Sequence, residues 1–364
     1  MNQIIPRIVL AATLVLAFAP SVHAVVATDK HEDVVQRAFE FRIAGKVDEA
    51  RDLLTTLIAK DSSIASAHYE MARLYHYMFV GGASVRLEDV LTSINKAVII
   101  EPDNVIYAYY KAISCFMFAF SAMHNDPDQV KPRITETCKA LERVLELKPD
   151  YHEATLYLVE IYGLLPAEMG GDSLKASTLA SQLIKVDRFY GFKARAVLLP
   201  EGSDLVKYWG NLVAMNHKTP EYLVEMGKAY LFRDDPINAE KYFMKIQRID
   251  PSKNTLTLDL ARYHIMKVMQ DRKLAKEELP KAKNLVESFL SGTPEPVVPL
   301  KTYSLGLLSQ VETFLGNQSR AEQLLKEAKS LDPYFSRASG IPTLLLFDPP
   351  NQVSHHYFSF FSPY

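Results

Sequence analysis

Apolar residues return at every third or fourth position through almost all of residues 30–333, and strand-like alternation is scarce. That spacing lays an apolar stripe along a helix, so the pattern predicts a succession of amphipathic helices. The stripes are interrupted at Glu101-Pro102, Lys148-Pro149, Asp250-Pro251 and Asp332-Pro333. Proline has no N–H to donate and clashes with the preceding turn, so each of these pairs ends a helix. Each also closes a similar phrase, VIIEPD, VLELKPD, IQRIDPS or AKSLDPY. One phrase that keeps returning marks a repeat array, in which every unit buries its apolar face against its neighbours.

The clearest unit runs from Pro220 to Lys253, with Leu223, Met226-Gly227, Tyr230, Ala239, Phe243 and Pro251 in fixed order. Gly227 and Ala239 let two antiparallel helices approach, while Tyr230 and Phe243 fill the space beside that contact. The same frame fits a unit starting at Thr302 (Leu305, Gly316, Ala321, Leu325, Ala328, Pro333) and a first unit (Ala38, Phe41, Gly45, Ala50, Leu54). Four further units keep it with insertions, and a degenerate pair fills 189–219, so the expected array covers 25–335. The insertions fall between the two helices of their units, at 80–87, 121–131, 165–173 and 269–277, and are expected to stack as a ridge of surface turns along one edge.

On these motifs the chain resembles the tetratricopeptide-repeat family over most of its length. Residues 164–191, with Gly170-Gly171-Asp172, are similar to a segment of exported bacterial repeat proteins. The resemblance implies an all-α fold, a right-handed α-α superhelix (solenoid) of antiparallel helix pairs. It also implies a concave face, lined by the first helix of each unit, that binds peptides or proteins and performs no chemistry.

Counted within each unit, that face is expected to carry Arg42, Tyr69, Arg73, His76, Tyr77, Tyr109, Glu160, Lys228, Phe232, Arg262, Tyr303, Gln310 and Phe314. Rings supply apolar area and cations meet carboxylates, a mixture suited to an extended peptide. Tyr69, Arg73 and Tyr77 are four residues apart and so project from one helix face, with Lys228 and Arg262 extending a basic stripe.

Charge narrows the partners. With 41 basic and 43 acidic side chains among 364 residues, the formal charge of −2 removes the electrostatic case for nucleic acid. Residues 8–18 form an unbroken apolar run after Arg7 and before Ser21-Val22-His23-Ala24, the order of a secretory signal peptide over 1–24. The mature chain is therefore expected to be exported, periplasmic or secreted, with no later membrane span. Cys115 and Cys138 face each other in the repeat frame and could form a disulfide, or could be two small buried hydrophobes.

The short signals of hydrolase, metalloprotease, nucleotide and dinucleotide sites are missing from the sequence. Ser93-Ile94-Asn95-Lys96 matches S-x-x-K without its companion motifs, and no His or Cys spacing suits a metal. No catalytic, metal or cofactor residue is expected. The favoured reading is a non-enzymatic scaffold for a protein or extended peptide. A small-ligand or solute-binding accessory of a transport system stands as the alternative, and an enzyme with an unfamiliar site stands behind both. The apolar end at 336–364 is expected to pack back on the repeats through Leu344, Leu346 and Phe347.

Overall fold

The computed structural model describes residues 30–215, 219–293 and 295–335. The leader read over 1–24 and the tail read over 336–364, with its three anchors, lie outside the described residues. Among the described residues there is no strand, and the chain runs as successive helix pairs. These are α1 (Lys30–Ile43) with α2 (Val47–Lys60), α3 (Ala65–Val80) with α4 (Leu87–Ile100), and α5 (Val105–Asn125) with α6 (Pro127–Leu147). Next come α7 (His152–Leu164) with α8 (Ser173–Val186), then α9 (Arg188–Val197) and α10 (Leu205–Ala214). The array ends with α11 (Pro220–Phe232) and α12 (Pro236–Ile249), α13 (Leu256–Gln270) and α14 (Ala275–Leu290), and α15 (Val298–Phe314) and α16 (Gln318–Leu331).

Local chemistry sets these boundaries. The side chains of Asn104, Asp172, Asp187, Asp204 and Asp235 accept hydrogen bonds from backbone N–H groups in the first turns of α5, α8, α9, α10 and α12. Those donors have no partner inside the helix, so the caps stabilise each start. Small residues set how closely the helices approach. A Cβ at Gly227 would lie 2.3 Å from the Phe243 ring, and one at Gly191 would lie 2.2 Å from the Ile184 Cα.

First helices of consecutive units touch, as α1 with α3, α7 with α9 and α13 with α15, whereas the second helices make no comparable contact. The array therefore curves toward its first helices, which form the concave face. The degenerate stretch departs from the hairpin rule: α9 packs on α7 and α8, α10 packs on α11, and α9 and α10 meet through side chains, with the Tyr208 hydroxyl donating to the Phe192 carbonyl at 2.8 Å. An aromatic group replaces the small-residue contact there, with Trp209 lying 6.5 Å from Phe189, 5.3 Å from Tyr208 and 6.1 Å from Tyr222 between ring centres.

The curvature brings the two ends together. The Tyr77 hydroxyl on α3 donates to the Asp332 carboxylate, and the Tyr334 hydroxyl donates to Asp48 at 2.9 Å. Gly45 and Gly81 give room for the returning chain: a Cβ would stand 2.3 Å from the Leu331 carbonyl oxygen at Gly45 and 2.1 Å from that of Tyr334 at Gly81. Phe335 is buried against Gly306 of α15, so residues 331–335 join the last unit to the first two.

Three expectations are corrected. The insertion at 121–131 is not a surface turn but extra helix, because α5 and α6 each run for 21 residues and meet at Asp126. The insertion at 269–277 is likewise taken up by a 3-10 turn at Arg272–Leu274 and the start of α14, so no continuous ridge of loops forms. Finally, Val105–Met123 is long and apolar enough to cross a membrane, contrary to the expectation that no such stretch follows the leader; 61% of it is buried within the array.

Cys115 and Cys138 are both buried free thiols. Burial pushes the Cys115 thiol up to about 12 and raises the Cys138 thiol as well, with Tyr162 on α7 opposing the second shift. Titration of the unfolded, non-reduced protein is expected to count two thiols; a count of zero would restore the bond.

Candidate functional site

The concave face begins with a buried charge triad. Arg42 Nε on α1 lies 2.7 Å from Glu70 Oε1, and Arg73 Nη1 lies 3.1 Å from Glu70 Oε2, with all three side chains at most 5% exposed. The Phe39 ring takes both guanidiniums, at 5.3 Å from Arg42 and 5.4 Å from Arg73, and Tyr69 takes Arg73 at 5.4 Å. Such contacts hold planar cations in an apolar setting. His76 is fully buried, its Nδ1 is 3.3 Å from the Tyr110 hydroxyl, and burial drives its pKa down to about 3.

Arg73, His76 and Tyr77 therefore do not offer the open surface that their spacing predicted. Arg73 is committed to Glu70, His76 lies against α5, and Tyr77 is covered by Asp332 from the far end of the chain. Of the tyrosines expected with them, Tyr69 and Tyr109 stay half-buried on the concave side. Tyr69 lies 4.9 Å from Tyr107, and Tyr109 lies 4.6 Å from Tyr151 and 6.4 Å from Tyr157. Tyr303 is buried in the last unit, Gln310 reaches Met269, and Phe314 stacks under Arg272 at 4.2 Å.

A second charged stretch runs over α9, α11 and α13. Lys193 Nζ is 3.1 Å from Glu225 Oε1, Lys228 Nζ is 4.0 Å from the same oxygen, and Arg262 Nη1 is 3.6 Å from Asp259 Oδ1. Burial holds the Lys228 pKa below its usual value, with Glu225 opposing that shift, although 31% of its side chain still meets solvent. Phe232, one turn further along α11, is 52% exposed. Lys228 and Phe232 thus lie one turn apart on α11 with Arg262 on α13, while Tyr69 and Tyr109 are on α3 and α5.

Sequence reasoning missed the acids. Glu70, Glu225 and Asp259 each stand three residues before an inner cation, and that recurrence was visible in the chain. The basic stripe expected from Lys228 and Arg262 is therefore alternating charge. Among the described residues no group of His, Cys, Asp and Glu is arranged to hold a metal ion.

Residues 220–253, which are α11 and α12 with the turn that follows, match the tetratricopeptide-repeat family model. No curated protein matches the chain. Among solved structures, a thermophilic tetratricopeptide protein from Thermus thermophilus is similar at 15% identity, covering 64% of this chain and 98% of that one, with a TM-score of 0.41. A tetratricopeptide-repeat protein from Parabacteroides merdae is 13% identical over 83% of this chain and 93% of that one, with a TM-score of 0.35. The pilF protein of Pseudomonas aeruginosa is 13% identical over 85% and 94%, with a TM-score of 0.27. The matched unit and the all-α hairpin array make this a tetratricopeptide-type solenoid, a fold typical of scaffolds for protein–protein interaction.

Proposed function

We propose that the chain is an exported, non-enzymatic scaffold that holds an extended peptide or protein segment on its concave face. The observation that carries this reading is the Phe232 ring, a large apolar group half open to water and one turn from the Lys228 ammonium on α11. A ring and a cation so placed give a peptide one apolar anchor and one partner for a carboxylate or carbonyl. Arg262 on α13 continues the cationic side. Export rests on the leader pattern at 1–24.

The test is site-specific photo-crosslinking in the native compartment. A photoreactive group at position 232 is expected to capture a partner, while one at Ile237, on the second helix, is expected to capture none; the reverse result would move the site to the convex side. With that partner in hand, Phe232→Ala is expected to weaken binding about tenfold, or ~1.4 kcal/mol, with the melting temperature nearly unchanged.

A smaller solute is the second reading. The meeting of the two ends through Tyr77, Asp332, Tyr334 and Asp48 favours it, because a solenoid that closes on itself encloses its inner surface. Capture of a small molecule in place of a polypeptide would decide for it.

A further inference from the structure

Three inner helices carry an acid followed three residues later by a cation: Glu70 and Arg73, Glu225 and Lys228, Asp259 and Arg262. On α7 the cation's position is taken by an acid. In the same register this helix places Tyr157 where the acid would be and Glu160 where the cation would be. Glu160 is completely buried, and neither carboxylate oxygen has a hydrogen-bond partner. Its cationic neighbour, Lys193 on α9, is engaged by Glu225 at 3.1 Å. A buried carboxyl without a donor is costly, so a chain that keeps one there has left a position for a donor to fill.

The surroundings indicate which donor. Tyr109 of α5, half-buried on the concave face, lies 6.4 Å from Tyr157 between ring centres, and both feel the Glu160 charge. The Tyr151 hydroxyl, beside the Tyr109 ring, also has no partner. Ring faces with a carboxylate at their base attract an organic cation, for which the rings replace water and the carboxylate takes the charge. A metal ion would need several hard ligands together, and among the described residues no such group exists.

We propose that the concave face between α5 and α7 is a binding site for an alkylammonium group, with Glu160 as its counter-ion and Tyr109 and Tyr157 as its walls. The group belongs either to a free amine or to a lysine side chain of a bound polypeptide. The site rests on the reading that the concave face is the binding face, and it specifies the chemistry recognised there. Burial raises the Glu160 pKa to about 8, with Lys193 opposing and Glu225 adding to the shift. The carboxyl is therefore mostly protonated at pH 7, and an arriving ammonium ionises it. Binding then releases close to one proton per ammonium at pH 7, and affinity rises with pH until the free carboxyl is itself ionised.

Titration calorimetry on the full chain tests this, with 1,5-diaminopentane and with a lysine-containing peptide set against its norleucine counterpart. Two buffers of different ionisation enthalpy report the proton released. Wild type is expected to bind one of the amines at least tenfold more tightly than Glu160→Gln does, and the proton release is expected to vanish in that variant. Tyr109→Leu, at a half-buried position, is the second variant and is expected to lose affinity while Glu160 remains. Preference for the diamine identifies a free amine; preference for lysine over norleucine identifies a side chain. Failure of both amines to bind at millimolar concentration, or unchanged affinity and proton release in Glu160→Gln, would overturn the site. If lysine and norleucine peptides bind equally and Phe232→Ala abolishes both, the groove stands and the ammonium site falls; if no concave variant alters peptide binding, both readings fall.

Discussion

Replacing Glu70 with alanine is expected to destabilise the protein by about 3–5 kcal/mol, because it leaves two buried guanidiniums without their shared carboxylate. Glu70 receives Arg42 at 2.7 Å and Arg73 at 3.1 Å, and none of the three side chains is more than 5% exposed. Without it, like charges from α1 and α3 face each other over the Phe39 ring, which attracts cations far more weakly than a carboxylate does. The exposed Arg143–Glu146 pair makes the comparison: at 3.0 Å it lies between the two buried contacts in length, yet its side chains are 44% and 66% exposed. Glu146→Ala should therefore change stability by less than about 1 kcal/mol. Urea unfolding measures both, and hydrogen exchange should place the loss for Glu70→Ala in α1 and α3. A loss below ~1 kcal/mol for Glu70→Ala would mean that water reaches the triad. Replacing all three residues with apolar ones of similar volume should recover most of the stability, which separates unpaired charge from lost packing.

Gly81→Ala is expected to open the end-to-end contact. The residue has φ −67° and ψ −6°, a conformation open to any amino acid, so backbone strain plays no part. What the new methyl meets is the Tyr334 carbonyl oxygen, 2.1 Å away, and a backbone atom cannot rotate aside as a side chain can. Either residues 331–335 lift from the first units or α3 shifts, at a cost of about 1–3 kcal/mol. Lifting also exposes the Tyr77–Asp332 hydrogen bond to water. Small-angle scattering should show a larger radius of gyration, and the N- and C-terminal units should lose amide protection together. Gly210→Ala is the control, with its nearest neighbour at 3.6 Å, and is expected to be neutral or slightly stabilising. An unchanged radius and melting temperature for Gly81→Ala would show that the ends do not meet in solution.

Much of the fold was legible because the signals are local. Gly227 against Phe243, the Asp caps and the proline stops are relations within one unit, written as spacings of a few residues. The stretch 189–219 departs from the repeat frame because Trp209, Phe189 and Tyr222 pack as a ring cluster where other units use small residues, and ring clusters have no fixed spacing. The candidate site was less legible. Tyr69, Tyr109, Lys228 and Arg262 lie partly open on the first helices, where counting within each unit puts them. Glu160 was placed on the inner face as one residue among many. Its isolation became visible only when Lys193 was seen bound to Glu225.

The sequence by itself determined the helices, their pairing into hairpins and the order of units, because each depends on apolar period, helix caps and small-residue contacts between neighbours. It also determined which side chains the first helices carry. Only the tertiary structure decided which of them remain accessible. Each unit adds a small rotation to the last, and no local pattern records where the accumulated rotation brings the far end. Here it brings Asp332 onto Tyr77, 255 residues earlier, and withdraws that tyrosine from the concave face. The cysteines show the same at shorter range: positions that face each other in the repeat frame leave both as buried free thiols.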